Sequence, residues 1–187
     1  FTPATELKKH YDVVIIGGGG HGLGAAYYLA KDHGITNVAV VEKGWLGGGN
    51  TGRNTMTVRS NFLREDSVPF HELSIDLYHQ LSKDLNYNLM VSKRGMITFI
   101  QSSAVNRIAM QMANTMHIYG AEYRMLSLPE IKQRVPIFSP SENMRLPILG
   151  GVYQPRASMV RHDAVAWGFA RGADSRGVDI IQNCEVS

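Results

Sequence analysis

At 187 residues and 44% hydrophobic content, the chain is long enough for one domain with a smaller second lobe and can fill a core. Its net charge of +3 comes from scattered bases and acids, which argues against the clustered basic footprint of a nucleic-acid binder. A single cysteine, Cys184, excludes an internal disulfide and fits a reducing compartment, so a cytoplasmic location is expected. No apolar run approaches the roughly 18 residues of a membrane-spanning helix. The start "FTPATELKKHYD" lacks the apolar centre and cleavage site of a secretory signal. The chain begins on Phe1 rather than Met and ends in a strand-like run, so we expect a piece of a longer protein.

In chain order, "YDVVII" (11–16) reads as a strand buried on both faces. A glycine cluster (17–24), a helix over 25–34 closed by Gly34, and a second buried strand (37–43) follow. Strand, glycine turn, helix and strand in this order predict a βαβ unit and a parallel sheet. A glycine-rich loop covers 44–55. Phe70, Leu73, Leu77, Leu81 and Leu85 recur at helical spacing and predict an amphipathic helix. Residues 94–100 predict a strand, and Val105, Ile108, Met112, Met116 and Tyr119 predict another amphipathic helix ended by Gly120. "SLPE" (127–130) is a capping-box start for a short helix that stops before Pro136. Segment 136–157 reads as loop with a strand inside it at 150–154, and a helix (163–176) and a strand (178–186) complete the chain.

The glycine cluster contains Gly17-x-Gly19-x-x-Gly22. In such a fingerprint the first glycine permits the tight turn, the second lets backbone approach a pyrophosphate, and the third allows close helix–strand contact. The phosphates then meet backbone N–H groups at the positive end of the helix. Glu42 lies twenty residues beyond Gly22, at the end of the second strand, where it would bond ribose hydroxyls and repel a 2′-phosphate. These residues predict a dinucleotide site and argue against NADP, and they do not separate NAD from FAD. The fold class expected is therefore α/β: a Rossmann-like domain with a parallel sheet, built from 1–88 and 156–187. Residues 89–155 would begin a smaller α+β substrate domain. His162, just ahead of Asp163 and the last helix, reads by itself as an ordinary partly buried histidine bonding a carbonyl, with a ligand or an attachment point as the alternatives.

Three stretches, "GGGGHGLGAAYYLAKDHG", "VVEKGWLGGGNTGRNT" and "RHDAVAWGFAR…GVDIIQNCEV", together resemble the β subunits of heterotetrameric sarcosine oxidases. These subunits belong to the larger group of FAD-dependent amine and D-amino-acid oxidases. The resemblance implies non-covalent FAD in the Rossmann-like domain and an FMN at the boundary with a large α subunit, attached covalently to a β-subunit histidine. It implies oxidation of sarcosine (N-methylglycine) at FAD, with electrons passing to FMN and then to O₂ to give peroxide, glycine and a one-carbon unit. That unit is handled in the α subunit with tetrahydrofolate, while NAD belongs to α and zinc to a small δ subunit. Carried onto this chain, the resemblance sets Gly20 and His21 against the FAD pyrophosphate and Glu42 on the adenosine ribose. Asn50, Thr51, Thr55 and Thr57 would contact FAD, and Val186 would meet the adenine by its backbone. Arg161 and His162 match the FMN pair, His162 being the attachment point. Attachment needs an unprotonated imidazole nitrogen, and a place at a helix N-terminus works against protonation.

Arg59 falls where monomeric relatives carry an arginine that grips the substrate carboxylate, a task suited to a bidentate donor. A second arginine three residues earlier in those relatives is Met56 here, so carboxylate binding and a structural ion pair both stand for Arg59. His21 reads as a phosphate or packing contact rather than a base. His71 and His79 share a helix eight residues apart without a carboxylate to complete a metal set, so they read as a solvated face and no metal is expected. Met112 and Met116 read as core, and Cys184 as inert packing in a buried strand. Two other readings remain open at this point. One is a single-flavin dehydrogenase acting on dimethylglycine, another N-methyl amine or a D-amino acid; the other is a non-catalytic FAD-binding subunit.

Overall fold

The computed structural model describes residues 1–62, 64–138, 140 and 144–187. Its strands are β1 (Val13–Ile16), β2 (Val38–Val41), β3 (Thr57–Val58), β4 (Met96–Ile100), β5 (Arg124–Leu126), β6 (Gly150–Gln154), β7 (Ser158–Met159) and β8 (Asp179–Ile181). Its α-helices are α1 (Gly20–His33), α2 (Ser67–Asp84), α3 (Ser103–Ile118), α4 (Leu128–Arg134) and α5 (His162–Asp174). The fold is α/β. Two compact units emerge, one of residues 1–56, 80–91 and 160–187, the other of 57–79 and 92–159. Against the expected boundaries at 88/89 and 155/156, residues 57–79 and 156–159 fall in the second unit. Pairing of β3 with β7 carries both segments there. Of the expected loop 136–157, residues 139 and 141–143 lie outside the described set.

In the first unit β1, β2 and β8 form a parallel sheet in the order β1-β2-β8. All four residues of β2, the central strand, are buried, as their apolar, mostly β-branched sequence requires. Helices α1 and α5 pack on each other and on these strands, with the fully buried Tyr27 ring 5.6 Å from that of Phe169. In β1, Ile15 points at α1, whereas Val14 and Ile16 are 56% and 71% exposed. α1 starts at Gly20 rather than 25, since the chain enters the helix straight from the glycine turn, with Leu23 N–H bonded to Gly19 O (2.9 Å). It ends at Gly34, left-handed at φ 66°, as anticipated.

The last strand is shorter than the 178–186 predicted. After Ile181 the chain leaves the sheet: Gln182 Oε1 accepts from Leu46 N–H (3.0 Å), and Asn183 and Cys184 donate backbone N–H to the carbonyls of Gly44 and Glu42. Cys184 is thus half-buried outside the strand rather than inside it. At the other end of β8, Asp179 accepts from Thr2 Oγ1 (2.8 Å), Tyr11 Oη (2.9 Å) and Lys8 Nζ (2.9 Å). Burial works against its charge, and the bonds from Lys8, Thr2 and Tyr11 outweigh burial, so its pKa lies below the ordinary carboxylate value. A depressed carboxylate contributes stability above its unfolded pKa and loses it as pH falls through the folded value. Asp179→Asn is therefore expected to lower the unfolding free energy of the full-length protein at pH 7, measured by urea titration, by about 1–2 kcal/mol. The gap to wild type should close as pH drops below the ordinary carboxylate value of 3.8. A gap unchanged down to pH 3 would count against this account.

The second unit is built on an antiparallel sheet, β4-β6-β5, in register from Met96↔Gln154 to Ile100↔Gly150 and from Arg124↔Tyr153 to Leu126↔Gly151. The central strand β6 was anticipated, and β5 was not. Ala109 of α3 packs on Ile100 and Val152, and Val68 of α2 on Met116 and Ala121. α4 carries the predicted capping box, Glu130 accepting from the Ser127 N–H (2.7 Å) and Oγ (2.6 Å). α2 turns a different face inward from the one its leucines suggested. Phe70, Leu73 and Leu77 are exposed, while Val68, Ile75 and Leu81 are buried. The inward side also carries His71, Glu72 and His79, each hydrogen-bonded: His71 Nδ1 with Ser67 O (2.7 Å), Glu72 with Ser60, and His79 Nε2 with Ser158 Oγ (2.7 Å). The two histidines are therefore not a solvated face. Burial, then the charges of Lys93 and Arg156, push the His79 pKa down.

Candidate functional site

The glycine turn of the first unit is fixed by sterics. β1 ends with Gly17 N–H on Val41 O (2.8 Å), and Gly17 then adopts φ 109°, a region that L side chains rarely enter. Gly22, one turn into α1, faces Gly17: a Cβ there would lie 2.2 Å from the Gly17 carbonyl oxygen and 3.2 Å from Ile15 Cγ2. Helix and strand approach this closely only because the third glycine of the fingerprint has no side chain.

The turn is locked to the loop that follows β2. Glu42 accepts from Gly18 N–H through Oε2 (2.7 Å) and from Gly44 N–H through Oε1 (2.8 Å), so its carboxylate spans the two glycine segments. Gly47 N–H bonds Gly18 O (2.9 Å), and Thr51 Oγ1 accepts from Gly20 N–H (2.9 Å). Asn50 and Thr51 lie in a short 3₁₀ turn, Asn50–Arg53. The N-cap of α1 is Gly19, which has no side chain to satisfy the helix's leading N–H groups. Those donors and the positive helix end face the region where an anion is favoured.

An open cleft of about 800 Å³ lies along this locked turn. Of the residues selected from sequence, Gly17, Gly19, Glu42, Asn50, Thr51 and Val186 line it. Gly20, His21 and Gly22 form the adjoining first turn of α1, with His21 exposed. Thr55 is exposed and does not line the cleft, and Thr57 belongs to the second unit. Trp45, Lys43, Arg53, Cys184 and Glu185 also form its wall and were not selected from sequence. Trp45, 69% exposed beside three glycines, was the available signal. A large aromatic left in solvent within a glycine-rich loop marks a contact surface.

Arg161 and His162 open α5, Arg161 as its N-cap and His162 as its first residue, so the histidine is inside the helix rather than ahead of it. Arg161 donates Nε and Nη2 to the two Asp163 oxygens (3.0 and 2.6 Å). The guanidinium holds Asp163 below the ordinary carboxylate range. His162 Nδ1 is buried and has no hydrogen-bond partner. Buried polar atoms without a partner are few in native folds and call for an explanation.

In the second unit Arg59, half-buried, donates Nη1 to Asn61 Oδ1 (2.6 Å) and to Asn61 O (3.3 Å), and its guanidinium lies 4.7 Å from the centre of the Phe62 ring. Among the described residues no carboxylate lies within ion-pairing distance of it. Burial pushes the nearby Tyr123 phenol up to about 12, with the Arg59 charge opposing. Met56, in place of a second arginine, has φ 60°, and its N–H is bonded to Asn54 Oδ1 (2.7 Å). Among the described residues no group of three or more His, Cys, Asp or Glu side chains is arranged to hold a metal, and no helix is long and apolar enough to cross a membrane.

Residues 12–187 match the sequence model of a family described as FAD dependent oxidoreductase. The chain is 53% identical over 182 residues to the sarcosine oxidase subunit beta of Rhizobium meliloti (strain 1021), covering 97% of this chain and 44% of that protein. It is 48% identical to the sarcosine oxidase subunit beta of an Arthrobacter species, covering 97% and 45%. It thus spans less than half the length of these relatives. Among solved structures, L-proline dehydrogenase from P. horikoshii superposes with a TM-score of 0.87 at 22% identity, over 97% of this chain and 46% of that one, a likeness of fold.

Proposed function

The chain belongs to the FAD-dependent oxidoreductase family, and on that premise we propose that it is the dinucleotide-binding portion of a sarcosine oxidase β subunit. The observation that carries the cofactor is the glycine turn, whose open helix N-terminus, locked to Glu42 and Thr51, borders a cleft. Those donors fit the pyrophosphate of FAD. Each Glu42 oxygen holds one backbone N–H and keeps lone-pair capacity for a ribose hydroxyl. Asn50, Thr51, Thr55 and Thr57 would hold the rest of the cofactor, His21 would border the pyrophosphate, and the Val186 backbone would meet the adenine.

His162 would carry FMN through a covalent bond, with Arg161 beside it. A buried Nδ1 without a hydrogen-bond partner supports a role for this ring beyond packing. FAD would supply the two-electron acceptor for the amine, and FMN the outlet to O₂. Sarcosine, or a close N-methyl amino acid, is the substrate class that the names of the relatives support. Arg59 would take its carboxylate, since its guanidinium is stacked on Phe62 and held by Asn61, and among the described residues no carboxylate neutralises its charge. The same reading includes a large α subunit against the FMN side, further small subunits, and a cytoplasmic location.

The test uses the full-length subunit co-expressed with its partners. Anaerobic sarcosine is expected to bleach the visible flavin band within seconds, and aerobic turnover to release peroxide. Bleaching without peroxide would favour a dehydrogenase that passes electrons to a carrier. Bound FAD that sarcosine leaves coloured would leave a cofactor-holding subunit without amine chemistry.

A further inference from the structure

The second unit holds a chain of polar groups that begins, buried, at the residue after Arg59 and runs out to the exposed Asp76. Ser60 is fully buried, and Gln154, on β6, is 1% exposed. Gln154 grips Ser60 twice: its Nε2 donates to Ser60 Oγ, and its Oε1 accepts from Ser60 N–H at 3.4 Å. Ser60 Oγ in turn donates to Glu72 of α2. The other Glu72 oxygen accepts from Arg156 Nη1 (2.6 Å), whose Nη2 donates to Asp76. Residues 60–62 are bent back on themselves by Phe62 N–H on Ser60 O (2.8 Å). Asn61 and Phe62, the two residues in contact with the Arg59 guanidinium, therefore hang from the position of Ser60. The Phe62 ring is backed by His71 at 4.1 Å, itself tied to Ser67 O.

Burying an amide, a hydroxyl and a carboxylate costs free energy unless every member is bonded, and here each one is. The network fixes the backbone beside a cation that has no carboxylate partner among the described residues. We propose that Gln154 and Glu72 are positioning residues that hold Arg59 for the carboxylate of the substrate, acting through Ser60 and the 60–62 turn. This rests on the reading of Arg59 as the carboxylate receptor. A planar guanidinium binds a carboxylate through two parallel bonds, so small displacements or tilts of its support weaken the grip while leaving the charge in place.

Steady-state kinetics of the full-length protein with its partners test the proposal, using Arg59→Met as the reference. Gln154→Met keeps the side-chain volume and removes both bonds to Ser60. Glu72→Gln keeps an acceptor for Ser60 and removes the charge that holds Arg156. Each is expected to raise KM for sarcosine about tenfold, with a much smaller change in kcat and unchanged FAD content. In an Arg59→Met background the same substitutions should add nothing, because the group they position is gone. A merely structural role would lower thermal stability, FAD content and kcat together, and its effect would persist in that background; this result overturns the proposal. If Gln154→Met does not accumulate, Glu72→Gln decides, a wild-type KM there being the overturning result. If Arg59→Met itself leaves KM unchanged, the reading of Arg59 fails and the proposal falls with it. If Arg59→Met raises KM while neither other variant does, only the positioning role fails.

Discussion

Gly22→Ala is expected to leave the full-length protein without bound FAD and to destabilise it by about 3 kcal/mol, the upper part of the range for forcing an extra methyl into filled space. The added Cβ would lie 2.2 Å from the Gly17 carbonyl oxygen. That atom is backbone and cannot rotate away. Gly17 is held on its own side by Val41, and its φ of 109° leaves little freedom to yield. The strain is relieved only by lifting α1 from β1, which carries the N–H groups of Gly18 and Gly20 out of register with Glu42 and Thr51. Gly24→Ala is the control. Its Cβ would meet the Phe169 ring at 3.6 Å, an ordinary contact, and alanine suits a helix interior better than glycine by about 1 kcal/mol. Flavin absorbance per mole of protein and a thermal midpoint, measured on both variants, check the claim. An FAD-replete Gly22→Ala would mean that the pyrophosphate does not use this turn.

What could be read from the sequence follows from what is local. The glycine fingerprint is a steric statement about six residues, and Glu42 is located by strand and helix lengths, so both were legible. The closure of the site was not. Glu42 spans Gly18 and Gly44, and Thr51 reaches Gly20 across 31 positions, because the loop after β2 folds back over the turn. No periodicity records such a return. In α2 the leucine stripe pointed to one face, while the buried face includes His71, Glu72 and His79. Those side chains are tolerable inside only because Ser60, Arg156 and Ser158 satisfy Glu72 and His79. Ser158 is 79 residues from its histidine, a distance at which pattern reading has no purchase. The final strand ended early because Gln182, Asn183 and Cys184 have better partners in the 42–46 loop than a continuing strand would offer.

His162→Ala is expected to abolish covalent flavin on this chain while leaving non-covalent FAD in place. The ring sits on the first residue of α5, a position whose backbone is secured without it. Arg161 N–H bonds Leu89 O (3.1 Å), Val165 N–H bonds Arg161 O (2.9 Å), and Asp163 ties the Arg161 side chain. Truncating His162 removes a buried nitrogen that has no partner, so the helix start loses no hydrogen bond and the substitution should be close to neutral for stability. The effect on the cofactor should be total, because a carbon–nitrogen bond to flavin has no substitute in alanine. Denaturing the complete protein in acid, washing away free flavin and viewing the separated chains for fluorescence gives the result directly, and the chain's mass gives it independently. Wild type is expected to be fluorescent and heavier by one FMN, and the variant dark and unmodified, with acid-released FAD equal in the two. Fluorescence retained by the variant would move the attachment to another residue. A dark wild-type chain, with all flavin released as FAD, would return His162 to the role of a packed side chain and make a single-flavin dehydrogenase the better reading. In that outcome the sarcosine-dependent bleaching of FAD would still be expected, since the glycine turn, Glu42 and Arg59 do not depend on His162.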